Sequence, residues 1–168
     1  MTQRFFSRIF IIFTLFFAVP TSAFADNQVA RAETHINNMM IDLQGFLDNE
    51  SDDAEKRTEN VTYLLDTYFD LPLIARFSAG TYWRKATPTE RQTYSEIMRD
   101  VMIGTVVRNF DQLSGLEYKA VKSTTKGKKL VLVGGTFSDQ AKTREPVAVS
   151  WRVTTPEDGA TRVMDVEI

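Results

Sequence analysis

Residues 147-VAVSWRVT-154 alternate apolar side chains with small or polar ones. Successive side chains of a β-strand point to opposite faces, so this alternation predicts a strand that buries one face of a sheet. Three further segments with the same period, at residues 116–122, 129–138 and 161–168, predict three more strands. Pro156-Glu157-Asp158-Gly159 has the composition of a hairpin turn between the last two.

Upstream of Gly115 the apolar residues recur every three or four positions, which is typical of amphipathic helices. The first helix is predicted from about residue 27 to residue 48. After a polar break, Asp52 or Asp53 is expected to cap a second helix that ends near Phe69.

Two further helix starts are predicted from their capping residues. Asp70 and Pro72 suit the cap and first turn of a short helix that stops at Gly80. The segment 87-TPTE-90 matches a capping box, and the helix that it opens is predicted to run to about Leu113. Helices followed by antiparallel strands predict an α+β fold, in which N-terminal helices pack on a curved antiparallel sheet of about four strands with an apolar cavity between the layers.

The second half of the long helix, residues 101–107, is apolar on all sides. Such a helix either is buried on both sides or lines a cavity on one of them. Gly104 within it predicts the close approach of another backbone or of a ligand. Apolar residues from the helices and the sheet are the candidates for the cavity lining: Leu73, Phe77, Trp83, Met98, Val101, Met102, Thr105, Val149, Trp151 and Val153.

The composition excludes several kinds of chemistry. There is no Cys, so disulfides, thiolate nucleophiles and Cys-based metal or iron–sulfur sites are ruled out. The single His, His35, is expected to face solvent from the first helix, and no metal or cofactor site is predicted. The net charge of −2 offers no basic field for nucleic acid. The pair Gly134-Gly135 is expected to mark a β-bulge.

The N-terminus has the pattern of a secretory signal peptide. Arg4 and Arg8 precede an apolar run at residues 9–19, and 23-AFA-25 is a small-x-small cleavage site. The run is too short to span a bilayer, which requires roughly 20 residues. The domain organisation is therefore predicted as a signal peptide at residues 1–25 and one domain at residues 26–168, and the alternating strand at the end predicts that a C-terminal segment is missing.

Three segments together resemble a known family. They are 69-FDLPLIAR-76, 80-GTYWR-84 and 86-ATPTER-91, and their order and spacing resemble those of the MlaC family of toluene-tolerance auxiliary proteins. The end of the chain, 163-VMDVEI-168, resembles the penultimate strand of that family. The resemblance covers roughly residues 30 to 168.

The resemblance implies a soluble periplasmic carrier without enzymatic activity. It would shuttle phospholipid between outer-membrane and inner-membrane components of an ABC-type lipid transport system, and so maintain outer-membrane lipid asymmetry. Its implied partners are an outer-membrane lipoprotein and porin complex and an inner-membrane ABC transporter with its membrane-anchored substrate-binding subunit. The alternatives are a carrier of another apolar lipid such as a hopanoid, a secreted small enzyme, and an interaction module of the envelope.

Overall fold

The structure, a computed structural model, describes residues 22–49, 53–141, 143–156 and 159–168, with the side chains of residues 22–26 left undescribed. Helices occupy the first part of the chain: α1 Ser22–Asp48, α2 Ala54–Tyr68, α3 Leu71–Ala79, α4 Tyr82–Lys85 and α5 Pro88–Arg108, followed by a 3₁₀ turn at Phe110–Leu113. Strands make up the remainder: β1 Leu116–Thr125, β2 Leu130–Asp139, β3 Val147–Thr154 and β4 Arg162–Glu167. The predicted α+β class is confirmed.

The three predicted helix caps form as expected. The Asp53 carboxylate accepts hydrogen bonds from backbone N–H groups at the start of α2, and the Asp70 carboxylate does the same for α3. At α5, Thr87 and Glu90 make the reciprocal pair of bonds of a capping box. Gly80 ends α3 at a positive φ of 54°, a conformation that glycine adopts without strain.

The long helix ends earlier than predicted. α5 stops at Arg108, where Asn109 leaves the helical region and its side-chain amide donates to the carbonyl of Thr105. The following 3₁₀ turn carries Phe110 into the interior, where it is almost completely buried. A continued α-helix would have turned Phe110 by a different angle, so burial of this ring decides the helix end.

The sheet is open and antiparallel, with strand order β1-β2-β3-β4. The bulge predicted at the glycine pair forms, but its extra residue, Val121, belongs to β1: Ala120 pairs with Gly135, and Lys122 pairs with Gly134. The ring of Tyr118 lies directly over Gly135, where an added Cβ would come within 2.2 Å of it. The hairpin turn between β3 and β4 falls partly outside the described residues.

The helices cover one face of the sheet. α1 lies directly on the strands, and buried residues of α1, α2 and the sheet share one hydrophobic core. A second core joins α2, α3, α5 and the 3₁₀ turn on the other side of α2. On β3 the side chains of Val149, Trp151 and Val153 are buried, as the one-sided alternation predicts. No helix in the described part of the chain is both long and apolar enough to cross a membrane.

The junction of α2 and α3 is attached to the sheet edge. Phe69 forms a parallel bridge with Val163 of β4, and the backbone N–H of Asp70 donates to the Val163 carbonyl at 2.8 Å. Asp70 therefore contacts two elements: its carboxylate caps α3, and its backbone N–H donates a hydrogen bond to β4. This attachment fixes the distance between the helical layer and the sheet beside the cavity described next.

Candidate ligand-binding cavity

A cavity of about 340 Å³ lies between the helices and the sheet. Its lining comes from both layers and consists entirely of apolar side chains: Met39, Met40, Leu43, Val61, Leu64, Leu65, Phe69, Val106, Leu113, Phe137, Val147, Val149, Trp151, Val166 and Ile168. Cavities of a few hundred Å³ are of the size that proteins use for apolar ligands. With no polar group on its walls, this one can hold hydrocarbon and offers nothing to a polar substrate.

The periodicity of each element explains why it contributes to the lining. On α1, Met39, Met40 and Leu43 follow one another at helical spacing and so share the face that looks at the sheet. On β3, Val149 and Trp151 are two residues apart and point to the same side. Met side chains are flexible and polarisable, which allows a cavity wall to adjust to ligands of different shape.

Two exposed side chains lie at one end of the cavity. Val147, at the start of β3, and Ile168, beyond the end of β4, both line the cavity, and both are exposed. These two strand ends are neighbours in the antiparallel sheet.

Two neighbouring pockets share walls with the cavity. A small one, about 40 Å³, adds Leu47, Leu116 and Tyr118 to Met40, Leu43, Leu113 and Phe137. Beside it runs an open groove of about 1010 Å³ between α1 and the β1–β2 side of the sheet, where polar residues such as Asn37, Gln44, Ser138 and Gln140 join the apolar ones. Along α1, the lining of the site therefore changes from entirely apolar in the cavity to mixed polar and apolar in the groove.

An aromatic cluster from β1, β2 and β3 borders the cavity. The ring centroid of Tyr118 is 5.3 Å from that of Phe137 and 6.4 Å from that of Trp151. The Tyr118 hydroxyl and the Trp151 indole N–H are buried without a hydrogen-bond partner of ordinary geometry. Burial raises the pKa of Tyr118 above its usual value. Neither polar atom faces the cavity, whose walls are apolar throughout.

Of the ten residues predicted to line the cavity, Val149 and Trp151 do so, and Val153 is fully buried in the adjoining core. The others lie on α3, α4 and α5, away from the cavity: Leu73, Phe77, Trp83, Met98, Val101, Met102 and Thr105. Phe77 and Val101 are 62% and 56% exposed. The face of α5 that carries Val101 points to solvent, and only Val106 of this helix reaches the cavity.

The sequence reasoning missed the contribution of α1 and α2 to the lining. The signal was present, because Met39, Met40 and Leu43 form the apolar stripe from which the first helix was predicted. A stripe of this kind predicts which face of a helix is buried. It does not say whether that face meets solid core or a cavity, which depends on the distance between the layers.

A polar cluster ties α1 to α2 beside the core. The Tyr68 hydroxyl donates to the Asp42 carboxylate at 2.5 Å, and the Nε2–H of His35 donates to the Tyr68 carbonyl at 2.9 Å. His35 is half-buried, so the expectation that it faces solvent is wrong. Desolvation lowers the pKa of His35, with a further contribution from the nearby Arg162 charge. These hydrogen bonds join the two helices and leave no free acid–base pair aimed at the cavity.

Metal binding has no support in the described residues. No group of three or more His, Asp or Glu side chains converges there to hold an ion. The acidic residue most strongly perturbed, Asp139, has its pKa lowered to about 2 chiefly by hydrogen bonds from Thr143, together with the guanidinium of Arg144. That guanidinium also donates to the carbonyls of Gln112 and Ser114, so this cluster fastens the loop after β2 to the 3₁₀ turn.

The fold and the cavity define a small α+β protein with an apolar ligand space between a helical layer and an antiparallel sheet. Over residues 34–168 the sequence matches the model of the MlaC protein family, and the chain belongs to that family. The resemblance inferred from residues 69–91 and 163–168 is thereby confirmed.

A solved structure has the same fold. It is the phospholipid-binding protein from Ralstonia solanacearum, determined in complex with a phospholipid, which superposes with a TM-score of 0.68 over 82% of this chain and 77% of that chain. The two sequences are 20% identical, so the likeness establishes the fold. No curated protein sequence is significantly similar to this chain.

Proposed function

We propose that this protein is a periplasmic lipid carrier that binds the acyl chains of a phospholipid in the cavity between its layers. The wholly apolar cavity of about 340 Å³ carries the proposal. Membership of the MlaC family and a phospholipid-bound structure with the same fold support it. In this role the protein passes phospholipid between an outer-membrane lipoprotein and porin complex and an inner-membrane ABC transporter with its membrane-anchored subunit.

The carrier mechanism depends on shielding hydrocarbon from water. A two-chain lipid has roughly 30 methylenes, and each costs about 0.8 kcal/mol in water. Unprotected transfer would therefore cost on the order of 20 kcal/mol. An apolar cavity removes this cost for the hydrocarbon that it encloses, without a covalent step, so the protein binds and releases its ligand and does not act as an enzyme.

Export follows from the N-terminal pattern. The proposal is that residues 1–25 are removed as a signal peptide and that the domain begins at Asp26 in the periplasm. Residues 1–21 lie outside the described residues, and α1 begins at Ser22. N-terminal sequencing of the exported protein should give Asp26 as the first residue, whereas retention of residues 1–25 would contradict export with cleavage.

Native mass spectrometry of the protein purified from a Gram-negative periplasm tests the function. The proposal requires a co-purifying lipid, and its mass distinguishes a phospholipid from a hopanoid or another apolar lipid. Protein that is repeatedly recovered empty, and that stays empty after incubation with phospholipid, would contradict the carrier function.

A matched pair of variants tests the position of the ligand. Leu43→Trp places an indole in the cavity wall on α1, whereas Val101→Trp places an indole on the exposed face of α5. We expect Leu43→Trp to lose most of its bound lipid and Val101→Trp to keep it, with both folds intact by circular dichroism. If Val101→Trp lost its lipid and Leu43→Trp kept it, the ligand would instead bind beside the α5 residues predicted from the sequence.

A further inference from the structure

A second surface, on α3, α4 and the first turn of α5, combines exposed apolar side chains with positive charge. Two large aromatic side chains are exposed there, Phe77 and Tyr82. They are remote from the apolar cavity and line none of it. Exposed apolar residues grouped on one side of a protein usually mark an interaction surface.

The charge of this surface is opposite to that of the whole protein. Residues 71–91 contain four cations, Arg76, Arg84, Lys85 and Arg91, and one acid, Glu90, whereas the complete chain has a net charge of −2. The side chains of Arg76, Arg84 and Lys85 are exposed. Glu90 is occupied in the capping box, where it accepts hydrogen bonds from the backbone and hydroxyl of Thr87.

The aromatic side chains of the surface are held in place by local contacts. The guanidinium of Arg91 lies 5.7 Å from the centre of the Trp83 ring and donates to the Trp83 carbonyl at 2.9 Å. Tyr94 meets the Trp83 ring edge-on with centroids 6.5 Å apart, and its hydroxyl is 3.0 Å from that of Ser78. These contacts order the walls of an open groove of about 540 Å³ next to Tyr82 and Lys85.

We propose that this surface docks the protein reversibly on an anionic phospholipid bilayer. Tyr and Trp rings with an apolar body and a polar edge are suited to the boundary between lipid and water. Lys and Arg near an anionic membrane contribute about 1 kcal/mol each, so a few such residues give weak, reversible attachment. The combination of exposed Phe77 and Tyr82 with adjacent cations matches this boundary in both polarity and charge. The inference is independent of the cargo site, since the two surfaces share no residue.

Vesicle co-sedimentation of the exported protein tests the proposal. Vesicles of phosphatidylethanolamine and phosphatidylglycerol should bind the protein, vesicles of phosphatidylcholine should bind it much less, and binding should weaken as salt is raised. The double variants Arg84→Gln/Lys85→Gln and Phe77→Ser/Tyr82→Ser should each weaken binding to the anionic vesicles by about tenfold or more. Failure of the wild-type protein to bind anionic vesicles would overturn the proposal.

Two control variants separate docking from general attraction. Lys128→Gln/Lys129→Gln removes the same charge from the β1–β2 hairpin, and Ile41→Ser removes an apolar side chain that is 68% exposed on α1. Both should bind vesicles like the wild type, and an equal loss in either one would overturn the assignment to α3–α5. Loss of self-association in Phe77→Ser/Tyr82→Ser, with vesicle binding unchanged, would assign the surface to a second copy of the chain.

Native mass spectrometry of the same variants keeps this result separate from the cargo. Arg84→Gln/Lys85→Gln should retain its co-purified lipid while losing vesicle binding, because its substitutions are on exposed side chains away from the cavity. The docking proposal fails if loss of vesicle binding always accompanies loss of the bound lipid.

Discussion

Gly135 illustrates how a single residue permits the packing at the bulge. Its Cβ position is filled by the Tyr118 ring, with ring atoms at 2.2 to 2.4 Å, so any side chain would have to displace an aromatic ring that is itself packed on Phe137 and Trp151. Such interior positions tolerate added atoms poorly. The glycine is needed for space at this position.

We expect Gly135→Ala to lower the free energy of unfolding by about 1–3 kcal/mol, because the new methyl group overlaps the Tyr118 ring. Gly45→Ala is the matched control, since nothing lies within 4 Å of its Cβ position in the middle of α1, and it should stabilise the protein by up to about 1 kcal/mol. Denaturant unfolding measures both. Equal effects at the two sites would show that the Tyr118 contact does not matter.

Gly104 differs from Gly135. The backbone approach predicted there is absent, since the Arg108 guanidinium, at 3.1 Å, is what a Cβ would meet outside the helix backbone. That group is the flexible end of a side chain and can move aside. A glycine in an apolar helix is thus weak evidence of a close contact, and the space around it has to be known before it can be interpreted.

At the level of elements, the capping box of α5 is the feature that the sequence specifies most directly. Glu90 accepts from the Thr87 backbone N–H at 2.7 Å, and the Thr87 hydroxyl accepts from the Glu90 backbone N–H at 3.3 Å. The hydrogen bonds that its carboxylate accepts from the backbone and hydroxyl of Thr87 lower the pKa of Glu90. Both partners lie within four consecutive residues, so the capping box can be predicted from the local sequence without knowledge of the tertiary structure.

Thr87→Ala should lower the free energy of unfolding by about 1 kcal/mol, because it leaves the backbone N–H of Glu90 without its acceptor. Thr89→Ala is the matched control, because it changes the same residue type in the first turn of α5, where the side chain is exposed. Its effect on the free energy of unfolding should stay within about 0.5 kcal/mol. Thermal or urea unfolding distinguishes the two. The cap has no energetic role if both variants are equally stable.

The end of α5 was less predictable than its start. Arg108 and Phe110 are separated by one residue, yet Phe110 is buried among residues of α2, α3 and α5. The cost of leaving that ring exposed outweighs continuation of the helix, and the competing terms involve residues tens of positions apart. Local patterns such as Ser114-Gly115 mark the end of the whole segment but not the change to a 3₁₀ turn within it.

At the scale of the whole molecule, two hydrophobic cores share the helix α2. Leu43, Phe46 and Phe69 pack against both cores and thereby join the sheet side to the α5 side. The apolar cavity borders this junction. The bonds of His35 and Asp42 to Tyr68 also join α1 to α2. Because burial disfavours the charged imidazole, the stability of this interface depends on the protonation of His35.

The free energy of unfolding should fall as the pH is lowered past the ordinary His pKa of about 6.5. The pKa of His35 is lowered in the folded state, so the unfolded chain binds the proton more tightly and stability rises with pH in this range. His35→Gln retains a donor for the Tyr68 carbonyl and cannot titrate. Urea unfolding at about pH 7.5 and about pH 5.5 should show a smaller difference for this variant than for wild type, and an unchanged difference would contradict the assignment.

The sequence by itself determined the fold class and most of the elements, but not the short helix α4 or the 3₁₀ turn after α5. Caps at Asp53, Asp70 and Thr87, and the alternation of β3, depend on residues a few positions apart, so local rules suffice to predict them. Short motifs in fixed order were also enough to identify the family. The signal peptide and the start of the domain at Asp26 remain predictions from the same local kind of pattern.

Only the tertiary structure decided where the cavity is and which residues line it. Periodicity gives the buried face of α1 and the apolar faces of α5, but both patterns look the same whether the face meets a core, a cavity or solvent. The distance between α1 and the sheet depends on long-range contacts such as Phe69 with Val163, about a hundred positions apart. Those contacts open the space beside Met40 and Leu43 and leave Val101 exposed, because separation between layers is a property of the packed molecule and not of any one segment.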